Sequence, residues 1–120
     1  MPLLIDLNTF SDNRGSLTVI EKKLPFNVKR VFYIYNVDDS IRGGHRHFKT
    51  IQAAVCISGE CKIYTNNKYI KNTFSLNKPN QCLIIYPEDW HTMYEFSKNA
   101  ILLVLASENF DPEDYIYTDY

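Results

Sequence analysis

The chain has 120 residues, of which 45% are hydrophobic and 22% charged, enough for one domain with a real core and unlike the sparse, highly charged composition of disordered chains. Thirteen Lys and Arg against fourteen Asp and Glu give a formal charge of -1, so no overall positive field exists to hold a polynucleotide backbone and nucleic acid is not an expected partner. No segment offers the roughly 20 consecutive apolar residues of a spanning helix, and Met1 to Phe10 lacks a basic stretch followed by an apolar one; a cytoplasmic protein without a membrane partner is expected.

Nine Tyr, seven Phe and one Trp fall largely in short alternating or β-branched runs, which favours sheet over helix. In chain order, strands are predicted over Ser16–Glu21, Arg30–Val37, Ile51–Ser58, Cys61–Thr65, Tyr69–Leu76, Cys82–Tyr86, His91–Phe96 and Ile101–Ser107. Ser58-Gly59-Glu60 and Asn66-Asn67 can carry positive φ, and Pro79-Asn80 and Pro87-Glu88-Asp89 punctuate longer connections. No apolar spacing of three and four residues is sustained, and no βαβ alternation occurs, so an antiparallel sandwich or barrel spanning residues 1–120 is expected. The acidic, Pro-broken Asp111–Tyr115 reads as a surface tail or one short helical turn. Cys56, Cys61 and Cys82 are odd in number and form no C-x-x-C pair, which reads as buried thiols.

The segment Arg42-Gly43-Gly44-His45-Arg46-His47 is the most informative. On a strand, residues two apart share a face, so His45 and His47 point one way and Arg46 the other. Such a pair could ligate a metal, act as a base with a tuning partner, or be structural, and spacing alone does not choose. The third histidine, His91, lies far along the chain after a Pro-x-x-Trp turn, a separation that a barrel closes.

From His45 the sequence runs H-x-H, four residues, Gln52, six residues, Gly59, and later Pro87-Glu88-Asp89-Trp90-His91. These resemble the two cupin motifs, the first with Gln in place of its usual Glu and the second shortened. Together with Asp12-Asn13-Arg14-Gly15-Ser16, Arg30-Val31-Phe32-Tyr33-Ile34-Tyr35, Trp90-His91-Thr92-Met93, Leu102–Ser107 and Asp114-Tyr115-Ile116, the order and spacing resemble the dTDP-sugar 3,4-ketoisomerases over nearly the whole chain. Two positions depart from that pattern: Arg46, where a small residue is usual, and Phe48, where a basic one is.

The resemblance implies an all-β cupin double-stranded β-helix, a dTDP-linked 4-keto-6-deoxy sugar as substrate, no metal or other cofactor, a place in deoxysugar and surface-polysaccharide synthesis, and a homodimer with an exchanged amino-terminal strand. Moving a carbonyl from C4 to C3 needs removal of the acidified C3 proton, an enediolate, and reprotonation at C4. An imidazole, with an ordinary pKa of about 6.5, suits the proton transfer, so His45 or His47 is the candidate base. Tyr33, with Tyr35 as the alternative, is the candidate donor to the enediolate, on the expectation that both alternate inward. Arg14, Arg42 and Arg30 are the candidates for the diphosphate and sugar, because a guanidinium matches phosphate oxygens bidentately; Arg14 resembles a nucleotide-contacting position. His91 resembles a position that also faces the barrel, where it is a candidate substrate-binding residue with a hydrogen-bonding or a catalytic role. A sugar-nucleotide epimerase and a non-catalytic sugar-binding cupin are the rival readings.

Overall fold

β-Branched and aromatic runs, cut by turn residues, leave the chain almost no alternative to strand, and a computed structural model covering residues 1–120 has twelve. They are β1 (Leu3–Asp6), β2 (Asn8–Asp12), β3 (Gly15–Val19), β4 (Arg30–Ile34), β5 (Arg42–His47), β6 (Gln52–Ser58), β7 (Cys61–Asn66), β8 (Lys71–Leu76), β9 (Gln81–Ile85), β10 (Trp90–Tyr94), β11 (Ile101–Ala106) and β12 (Tyr115–Ile116), with a 3₁₀ turn at Pro112–Asp114. Two five-stranded antiparallel sheets, ordered β1-β9-β6-β11-β4 and β12-β5-β10-β7-β8, enclose the core, and β2-β3 stands apart as a hairpin. This is the cupin jelly roll.

The interior is filled from both sheets: Ala54, Cys56, Leu83, Leu102 and Val104 meet Ile63, Leu76 and Met93. On the outer face of the first sheet, Ala53, Val55, Cys82 and Ile84 form a second cluster under Leu24 and Phe26. Strand β6 is thus buried on both faces, which is why Ala53-Ala54-Val55-Cys56 shows no polar alternation. All three cysteines are buried free thiols.

Several boundaries differ from those expected. The strand expected to reach Val37 ends at Ile34, before Asn36 turns the chain at φ 55, and that expected to reach Phe96 ends at Tyr94, before Glu95 at φ 51. In the β7–β8 connection the positive φ belongs to Lys68 rather than to Asn66 or Asn67; their side-chain oxygens instead accept from Lys68 N, Tyr69 N and Ile70 N. Strands β1, β2 and β12 were not anticipated, because segments of two to five residues are too short to show an alternation and pairing makes them strands. The acidic segment forms the single helical turn, with Asp111 capping it through Glu113 N.

Candidate active site

The two sheets diverge at one end of the barrel and leave a cavity of about 390 Å³ walled by Arg30, Phe32 and Ile34 of β4, Gly43 and His45 of β5, Gln52 and Ala54 of β6, Ile85, His91, Met93, Val104 and Tyr115. Its floor is apolar, and its polar groups are two imidazoles, those of His45 and His91, two guanidiniums, those of Arg30 and Arg42, the Gln52 amide and the phenols of Tyr33, Tyr35 and Tyr115.

Pairing between β5 and β10 places His45 opposite His91, with a register shift just beyond. Gly43 and Gly44 sit at φ 85 and 82 there, and a Cβ on Gly43 would lie 2.8 Å from the His91 carbonyl oxygen. Glycine is therefore required for the two strands to approach closely enough to bring the histidines together. The His45 and His91 ring centroids are 5.0 Å apart and those of His45 and His47 are 5.1 Å apart. On the opposite face, Arg46 donates through Nε to the Thr118 carbonyl and lies 4.2 Å from the Tyr120 ring centroid, fastening the carboxyl-terminal segment across β5.

His47 does not line the cavity, although it was expected to. It is only 4% exposed, because β12 pairs with β5 and sets Tyr115 directly opposite it. The Tyr115 ring lies 4.6 Å from that of His45 and 4.8 Å from that of His47, covering the second histidine while itself lining the cavity. Asp114 anchors this arrangement by accepting hydrogen bonds from Phe48 N at 3.1 Å, Lys49 N at 2.9 Å and the Thr50 hydroxyl. Burial alone would push the Asp114 carboxyl up, but those hydrogen bonds and the neighbouring His47 outweigh it and hold it below its ordinary range.

All three imidazoles favour the neutral form. Burial lowers His45. Burial and the neighbouring His45 take His47 down to about 4, against a smaller upward pull from Asp114. Full burial takes His91 to about 3. His91 Nδ1 lies 3.0 Å from the Asp89 carbonyl oxygen; a carbonyl only accepts, so Nδ1 carries the proton and Nε2 is the open nitrogen.

Arg30 and Arg42 line the cavity, Arg30 half-buried with its guanidinium 4.5 Å from the Phe32 ring centroid, and neither forms an ion pair within the chain. Arg14 is elsewhere, at the tip of the β2-β3 hairpin, paired with Asp12 at 2.6 Å. The tyrosine expectation needs correcting: Ile34 belongs to the core, so Arg30, Phe32 and Ile34 face inward and Tyr33 and Tyr35 fall on the other side of the strand, 62% and 56% exposed. Both nevertheless line the cavity. Sequence reasoning missed Tyr115 and Asp114 as site residues; their one signal was an aromatic directly after a capped turn.

The donors near the cavity are three imidazoles and the neutral Gln52 amide, and no three His, Cys, Asp or Glu side chains are grouped so as to hold an ion.

The family model described as "FdtA: WxcM-like, C-terminal" matches residues 2–120. A TDP-4-oxo-6-deoxy-alpha-D-glucose-3,4-oxoisomerase from Aneurinibacillus thermoaerophilus is 38% identical over 116 residues, covering 94% of this chain and 84% of that protein. The chain belongs to the sugar 3,4-ketoisomerase family. Among solved members, a His-to-Asn variant of the ketoisomerase QdtA from Thermoanaerobacterium thermosaccharolyticum, in complex with TDP-4-keto-6-deoxyglucose, superimposes with a TM-score of 0.93 at 40% identity, covering 98% of this chain and 87% of the other. The TDP-quinovose 3,4-ketoisomerase WlaRB from Campylobacter jejuni does so with a TM-score of 0.93 at 38% identity, covering 98% and 92%. No helix of this family member is long and apolar enough to cross a membrane.

Proposed function

We propose that this ketoisomerase moves the carbonyl of a dTDP-linked 4-keto-6-deoxy sugar from C4 to C3 by metal-independent acid-base chemistry in which His45 is the base. The observation that carries this reading is a neutral imidazole on the wall of a cavity that also presents two unpaired guanidiniums. His45 takes the C3 proton, the C3–H electron pair forms the C3–C4 double bond, and the C4 oxygen takes up negative charge. Return of a proton to C4, with the O3 proton passing to O4, gives the 3-keto product.

A group must donate to the oxygen where that charge develops. Tyr115 takes the role first expected of Tyr33, since its phenol makes no hydrogen bond within the chain and its ring adjoins His45. Arg30 and Arg42 suit the diphosphate. His91 holds its ring against the Asp89 carbonyl. A charged nucleotide diphosphate does not cross a bilayer unaided, which supports a cytoplasmic location for the reaction.

A second copy of the chain completes the assembly. The β2-β3 hairpin pairs with no other strand, and it exposes Phe10 and Leu17, which face each other across it. Two strands alone are marginal in water. Edge strand β4 meanwhile leaves Val31, Tyr33 and Tyr35 uncovered. An exchanged amino-terminal segment covers both and carries Arg14 towards the partner's cavity.

The deciding experiment incubates chelator-treated protein with dTDP-4-keto-6-deoxyglucose in deuterium oxide and follows the sugar protons by NMR. Wild type should form a 3-keto product deuterated at C4, His45→Asn should lose at least ~10²-fold in rate, and His47→Asn should lose less. Absence of product from wild type sinks the assignment for this substrate.

A further inference from the structure

We infer that the Gln52 side-chain amide is a substrate-binding group, holding the adjacent keto and hydroxyl oxygens of the sugar; this rests on the ketoisomerase reading above. Gln52 opens β6, and alternation puts it with Ala54 and Cys56 on the inner face, where both Gln52 and Ala54 line the cavity. It is 5% exposed. Three other buried polar groups have internal partners: the Thr50 hydroxyl donates to Asp114, Ser107 Oγ accepts from Ile51 N, and the His91 ring donates to the Asp89 carbonyl. Gln81, the chain's other glutamine, accepts from Asn77 N and Lys78 N. The Gln52 amide forms no hydrogen bond with the chain, and unlike the Thr65 hydroxyl, which is unpaired but fully enclosed, it lines the cavity, so its open side is the cavity.

A buried amide without partners persists where a ligand supplies them. One amide presents N–H donors and a carbonyl acceptor side by side, which matches a ketone beside a hydroxyl, the unit that reacts. Nε2–H then points at the C4 oxygen, where charge develops on removal of the C3 proton, and Oε1 accepts from the neighbouring hydroxyl. A carboxylate at this position, as in the cupin motif that the sequence resembles, would offer acceptors only and add negative charge beside the enediolate.

The test compares wild type, Gln52→Glu and Gln52→Met for turnover of dTDP-4-keto-6-deoxyglucose and, by calorimetry, for binding of TDP alone. Gln52→Met should lose ~100-fold in kcat/KM with TDP affinity unchanged within about twofold. Gln52→Glu should lose as much at about pH 8 and regain part of it towards about pH 6, because burial raises the glutamic acid's pKa and the protonated form again offers a donor and an acceptor. Burial lowers His45 as well, which favours the unprotonated base. Gln52→Glu within about threefold of wild type at high pH, a loss that does not change with pH, or an equal loss of TDP affinity in Gln52→Met overturns the assignment while leaving the ketoisomerase reading intact. A wild type that binds TDP without turning over the sugar overturns both.

Discussion

Tyr115 connects the two histidines of the H-x-H pair to the cavity in different ways: it leaves His45 on the wall and closes over His47. Its ring and its hydroxyl are separable. Tyr115→Phe keeps the ring contacts and removes the donor, so kcat should fall ~10²-fold while thermal stability changes by no more than about 0.5 kcal/mol. Tyr115→Ala also removes the cover, so both imidazoles regain solvent and their pKa values rise towards the ordinary 6.5. The acid limb of its kcat/KM profile should therefore move to higher pH than in wild type. The groups facing this pair are His91 from β10, Arg30 from β4, Asp114 from the 3₁₀ turn, and Tyr115 and Tyr117 from the carboxyl-terminal segment. A Tyr115→Phe enzyme with full kcat would assign the enediolate donor to another group.

Among the elements, the β2-β3 hairpin is the one whose sequence and surroundings disagree. Its cross-strand pairs Phe10–Leu17, Thr9–Thr18 and Ser11–Ser16 form a complete ladder, yet no buried face supports it within one chain. The proposed docking on a second copy would resolve the disagreement and cover the apolar residues that β4 exposes at a sheet edge. Sedimentation of the wild type should give a dimer. Phe10→Asp with Leu17→Asp should shift it to a monomer and reduce turnover, even though neither residue touches the chain's own cavity. A double variant that stays dimeric with unchanged activity would place the subunit contact elsewhere.

For the whole molecule, burying three neutral histidines at one end of the barrel makes stability depend on pH. Unfolded histidines take up protons near pH 6.5, whereas folded His47 does so near 4 and His91 near 3. Between those values the unfolded chain binds more protons, so stability is full above about pH 6.5 and falls as pH drops through this window. The displacement of His47 alone corresponds to about 3 kcal/mol. Thermal unfolding between about pH 7.5 and 4 should show a progressive drop in Tm that His47→Asn makes shallower. A wild-type Tm that is flat over that range would mean the imidazoles are not held neutral in the folded protein.

The sequence by itself determined the strand-rich class, the buried cysteines, the opposed faces of His45 and Arg46, and the family, because period-two alternation and fixed motif spacings are local properties of the chain. It also carried the glycines that let β5 approach β10, although not the reason for them. What it left undecided depends on partners distant in sequence. Tyr33 and Tyr35 could not be assigned a side from alternation, since the parity of β4 is set by which residue enters the core, and that is Ile34. His47 could not be distinguished from His45 until β12 laid Tyr115 over it from 68 positions away. Gln52, read from sequence only as a missing carboxylate, acquired its meaning from the cavity, where a buried amide stands without an internal partner. Local pattern fixes which way neighbouring side chains alternate; only the closing of the barrel decides which of the two faces becomes the site.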